Sequence, residues 1–176
     1  MHDNTQHLYN NLDLRKLLIP IIVEQLLSSL MGTADTMMVS NVGSAAISAV
    51  SLVDSINILV IQAFYALSTG GTIVCAQYLG QKKTGHAIRS AEQTLFIVTL
   101  ISLVTAAFCI LFDRQILRLI FGTVDEEVFN SARTYFFYSS LSYPFIALYD
   151  AGSSIFRAQK NTGFPMAMSL IANIAN

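Results

Sequence analysis

The chain is poor in charge, in proline and in cysteine, and it has no tryptophan at all. Only 12% of its 176 residues are Asp, Glu, Lys or Arg, about half the share of an ordinary soluble domain. Ten basic against eleven acidic residues leave a net charge of -1, so no basic surface is on offer for nucleic acid. The two cysteines, Cys75 and Cys109, sit in or beside apolar runs; they read as small hydrophobes, and neither suggests a disulfide framework. The histidines His2, His7 and His86 lack metal-ligand spacing, so no metal site is expected.

Signatures of catalysis are missing as well. Gly80 to Gly85 has the opening spacing of a phosphate loop, but His86 and Ala87 stand where Lys and Ser or Thr are required. No Gly-x-Ser-x-Gly or Cys-His pattern occurs. Tyr149-Asp150 is half of an intramembrane aspartyl protease site without its Gly-x-Gly-Asp partner. The chain is expected not to be an enzyme.

What the chain has in quantity is hydrophobicity: 53% of residues are apolar and the mean hydropathy is +0.55. An all-α, polytopic membrane bundle follows, with four complete spans and the start of a fifth. A polar lead, residues 1–13, lacks the form of a cleaved signal and is expected on the cytoplasmic side. Spans are expected at about 14–40, 45–79, 93–112 and 134–156, and a last apolar stretch, 163–176, is too short to cross. Gly70-Gly71 is expected to loosen the second span. Thr123 and Glu126 have capping-box spacing and mark a helix start ahead of the fourth. Basic residues divide seven (Arg15, Lys16, Lys82, Lys83, Arg89, Arg157, Lys160) to three (Arg114, Arg118, Arg133) between the two ends of the spans. That asymmetry predicts a multi-pass plasma (inner) membrane protein with a cytoplasmic N-terminus.

The acids inside the apolar runs are the first clue to function. Between Leu17 and Val42 the only charged residues are Glu24 and Asp35. Eleven helical residues turn through about 1,100°, so these two share one face, roughly 16 Å apart, with Pro20 and Ser28 near the same stripe. An intramembrane Asp costs about 2.5–3.5 kcal/mol on insertion scales and usually serves a purpose. Desolvated, Asp35 can load a proton; ionised, it can hold Na⁺ with neighbouring oxygens. Glu24 either lines a cavity or reaches the interface. Asp54 and Asn57 on the second span suit an interhelical hydrogen bond or a cavity wall. Asp150 is expected to pair with Arg157 or to approach Arg89 and Lys82. Ser28 with Gly32, and Ala45 with Ala49, have the spacing of close helix contacts. Tyr135 to Tyr138 with Tyr143 suit an interfacial belt, or a pocket for a flat organic cation.

In this order the features resemble the N-terminal half of a multidrug and toxic compound extrusion (MATE) transporter. Pro20 followed fifteen residues later by Asp35 is similar to that family's first helix. Val74-Cys75-Ala76-Gln77-Tyr78-Leu79-Gly80 resembles its end of span two, as do Tyr135 opening span four, Phe156-Arg157-Ala158-Gln159 closing it, and Pro165-Met166 in span five. The chain departs from the pattern at Gln81-Lys82-Lys83, often a Gly-Ala stretch, and at Lys160, commonly Gly.

The resemblance implies twelve helices in two six-helix lobes around a cleft, of which residues 14–176 form the incomplete first. It implies alternating access and export of a small organic, in some cases cationic, substrate in exchange for H⁺ or Na⁺, with no other cofactor. Asp35 is implied to bind the cation with Asn176, or Asn173 if the register shifts by a turn, and Pro20 to be the helix bend. The remaining partners are the lipid bilayer and the missing C-terminal lobe, and the chain is expected to be a fragment. The alternatives are a lipid-linked saccharide flippase of the same superfamily and a non-transporting module that packs against a membrane partner.

Overall fold

The computed structural model describes residues 11–40 and 43–175, and those residues form helices joined by short connections. In lipid every backbone N–H and C=O must find its partner within the protein, which leaves helices as the natural form for such apolar runs. The helices are α1 (Asn11–Ser40), α2 (Ser44–Gly80), α3 (Thr84–Leu111), α4 (Asp113–Phe121), α5 (Glu126–Ala158) and α6 (Gly163–Ala175). The second and third expected spans become α2 and α3, both long and apolar enough to cross a bilayer. The first and fourth lie on α1 and α5, of 30 and 33 residues, which have spanning length but carry more charge.

The core is a three-helix packing of α2, α3 and α5, filled by Val53, Phe64, Val98, Phe136, Tyr143 and Ala147. Small residues at the contacts, Ala49, Ala106, Ala132 and Ala151, let the backbones approach closely. By contrast Ser28 and Gly32 lie on an exposed face of α1. That helix packs chiefly beside α6, and more lightly on α2; the short α4 lies against α5.

Three local expectations change. The helix is continuous through Gly70-Gly71, because Gly71 lets α3 approach: a Cβ there would overlap the Thr94 side chain. Helix α3 starts at Thr84, nine residues ahead of the apolar span, so Arg89 is helical. Thr123 is not the cap of α5; Asp125 occupies the N-cap position, and no side-chain cap bond forms.

The turns α2–α3 and α5–α6 are built alike. Each helix ends in a Schellman turn, with Lys83 N–H bonded to the Tyr78 carbonyl and Lys82 N–H to Leu79, and equally Asn161 N–H to Phe156 and Lys160 N–H to Arg157. The residue after each C-cap is left-handed, Lys82 at φ 60° and Lys160 at φ 63°. The sequences repeat too: an aromatic, two residues, Gln-Lys-x-Thr-Gly, then a second ring, at Tyr78–His86 and Phe156–Phe164. In both copies the two rings pack, with centroids 5.4 and 4.4 Å apart. Helix direction brings both turns to the end of the bundle where α1 begins, and with them all seven residues of the larger basic group.

Candidate functional site

Two clusters of polar side chains cross between helices, one toward each end of the bundle. Toward the end where α5 begins, Asp54 and Asn57 of α2 meet two tyrosines of α5. The Tyr135 hydroxyl donates to Asp54 Oδ1 at 3.0 Å, Asn57 Nδ2 donates to the same oxygen at 3.3 Å, and Tyr143 donates to Asn57 Oδ1 at 2.8 Å. Tyr143 is fully buried and meets Phe64 edge-on, with ring centroids 6.1 Å apart. These bonds fix α2 against α5 in parallel register. Of the aromatic group on α5, Tyr143 and Phe136 are core residues, while Phe137 and Tyr138 are exposed.

The other cluster joins α1 to α5. Glu24 is only 5% exposed, and its Oε1 accepts from Arg157 Nη2 at 2.7 Å and from the Tyr149 hydroxyl at 3.3 Å. The expected pairing of Asp150 with Arg157 is therefore replaced: the guanidinium reaches across to Glu24. Asp150 Oδ2 and Arg157 Nε are both buried and make no hydrogen bond. Nothing in the sequence singled out Arg157 or Tyr149 as partners for Glu24, because the pairing crosses 133 and 125 positions of chain. A second ion pair, Arg133 Nε to Asp113 Oδ2 at 2.5 Å, ties α4 to α5.

Pro20 is half-buried within a continuous α1. Lacking an N–H, it leaves the Lys16 carbonyl without a helical donor, and the Thr162 hydroxyl donates to that carbonyl at 3.4 Å. Asn173 Nδ2 donates to the Ser169 carbonyl of its own helix at 3.0 Å. From the Thr162–Lys16 contact, a rise of about 1.5 Å per residue puts Asn173 roughly level with Leu27. The Asp35 backbone lies roughly 12 Å further along α1. The side chain of Asp35, and Asn176 altogether, lie outside the described residues. Cavities among the described residues include one of about 260 Å³ between α2 and α3 by Gly71 and Thr94 and one of about 530 Å³ beside α4, bordered by Arg114, Arg118 and Glu126.

Residues 20–176 match the MatE family model. The chain belongs to the MatE family. Over 88 residues, half of this chain and 19% of the relative, it is 33% identical to the uncharacterized transporter YisQ of Bacillus subtilis strain 168. Its fold matches that of a MOP superfamily transporter from Pyrococcus furiosus with a TM-score of 0.83 at 19% identity, covering 92% of this chain and 35% of that one. The chain thus spans about a fifth to a third of these proteins by matched length. Membership of MatE makes it a membrane protein of a transporter family.

Proposed function

We propose that this chain forms part of the first lobe of a two-lobe, cation-coupled exporter that exchanges a small organic substrate for H⁺ or Na⁺. The observation that carries the reading is Asp35, an acid in the otherwise uncharged length of a MatE first helix beyond Glu24. A carboxyl in lipid is costly unless it is used. Substrate and cation favour different charge states of the same polar cavity, so binding one releases the other. Pro20 is the bend that answers to the charge on Asp35, and Asn176 supplies the second ligand, Asn173 standing roughly 12 Å short of Asp35 along the helices. The basic end of the bundle faces the cytoplasm, α1, α2, α3 and α5 cross the membrane, and α6 opens the fifth span.

The test uses the full-length transporter in vesicles. Replacing Asp35→Asn is expected to abolish gradient-driven efflux while the protein still inserts. Unchanged export by that variant overturns the assignment.

A further inference from the structure

The cluster between α1 and α5 carries an unbalanced charge. Two carboxylates, Glu24 and Asp150, lie near one guanidinium, Arg157, and among the described residues the charged groups acting on Asp150 are Arg157 on its own helix and Glu24 on α1. Tyr149 adds a neutral donor, already committed to Glu24. The guanidinium also lies on Glu24, which leaves the buried Asp150 Oδ2 without a partner. With Asp150 ionised, this small volume holds a net charge of -1 on groups largely withdrawn from water, an arrangement proteins avoid by pairing or neutralising the charge.

We propose that Glu24, Asp150, Arg157 and Tyr149 form a second proton-binding site of the lobe, separate from Asp35, which holds one proton on its carboxylate pair. The chemistry selects a proton over an alkali ion. A metal cation needs several oxygen ligands, and here a fixed guanidinium would oppose it. One proton on Asp150 Oδ2 cancels the excess charge and turns an unsatisfied acceptor into a donor. Should Arg157 swing to Asp150, the proton passes to Glu24, so the pair keeps one proton throughout and exchanges it with water at the basic end. Losing it leaves a bare negative charge between α1 and α5 and loosens their contact. The site therefore gives the α1–α5 junction its own response to protons.

Infrared spectroscopy of the purified full-length transporter at neutral pH reads this directly through the carboxylic-acid C=O band and its shift in D₂O. Asp150→Asn should remove one carboxyl's intensity. Glu24→Gln should remove it as well, although Asp150 is still present, because Arg157 is then free to pair with Asp150 and no proton is needed. Arg157→Gln should add a second carboxyl, a gain that misfolding does not mimic. Asp35→Asn should leave this band in place while efflux is lost, so the two assignments fail separately. If wild type and the Asp150→Asn variant give the same band, the cluster holds no proton; if Glu24→Gln leaves the band unchanged, the proton does not answer to the charge of the pair; either result overturns the proposal.

Discussion

Thr162 gives its hydroxyl to the Lys16 carbonyl, the acceptor that Pro20 strips of its helical donor. A proline inside a membrane helix is tolerated where a neighbouring Ser or Thr answers the freed backbone group. Here the answer comes from the α5–α6 turn, which clips onto the first turns of α1. Thr162 is 5% exposed, so water does not readily replace it. Thr162→Val should lower stability by about 1 kcal/mol, and Thr162→Ser should recover most of the loss. Denaturant unfolding of the purified full-length protein, followed by circular dichroism, checks both.

Lys82 predicts an effect of the opposite sign. Its left-handed φ of 60° costs a side chain about 1–2 kcal/mol relative to a right-handed residue, while glycine adopts the conformation freely. Lys82→Gly should therefore raise stability, by about 1 kcal/mol once glycine's greater chain entropy is offset. The melting temperature measures it. Lys160 has the same geometry at φ 63°, a conformation that lysine adopts at a cost.

Gly71 shows what the sequence made legible and what it did not. Long apolar runs and their polar breaks were enough for an all-helical chain and for the limits of α2, which differ by one residue at each end from those expected. A Gly-Gly pair on its own reads as a weak point. Only the presence of Thr94 across the helix contact turns it into a packing notch, and the sequence does not bring residue 94 to residue 71. The same distance hid Arg157 as the partner of Glu24. Asp54 and Asn57 were legible as a pair because they are one turn apart; their tyrosines were not. The doubled Gln-Lys-x-Thr-Gly turn is present in the sequence, but each copy reads as an ordinary loop until its backbone is set beside the other.

Filling that notch should hurt. Gly71→Ala drives a methyl group into Thr94, and overpacking of this kind costs about 1–3 kcal/mol. Thr94→Ala in the same background should restore part of the loss, since the Thr94 Cβ itself remains close. A double-mutant cycle on unfolding free energies tests the coupling, and additive losses would show that the two residues do not share the contact.

Tyr143 and Asn57 offer a measure of interhelical hydrogen bonding. Tyr143→Phe keeps the ring and its contact with Phe64 but removes the donor to Asn57 Oδ1. Such bonds within membrane bundles average about 0.6 kcal/mol, so the expected loss is modest and of that order. Tyr143→Ala should cost considerably more, because a fully buried ring is replaced by a cavity. Comparing the two variants by unfolding separates the hydroxyl from the packing.

The Glu24–Arg157 pair predicts a sharper asymmetry. With Glu24 buried and Arg157 largely so, removing one member strands a charge, a loss of about 3–5 kcal/mol for a buried pair. Asp150 tempers this on one side only. In Glu24→Leu the freed guanidinium has a second carboxylate beside it, whereas in Arg157→Leu two acids remain with no cation. Arg157→Leu should therefore be the more destabilising of the two at neutral pH, and acidification should narrow the gap, because the two acids must take up protons on folding, a cost that shrinks as the pH falls toward their unfolded range, whereas a stranded guanidinium stays charged. The double replacement Glu24→Leu with Arg157→Leu removes the pair and leaves Asp150 as the one acid of the cluster, so it should fall between the singles. Unfolding measured across a pH series decides it: a larger loss for Glu24→Leu than for Arg157→Leu would mean that Asp150 does not stand in for Glu24.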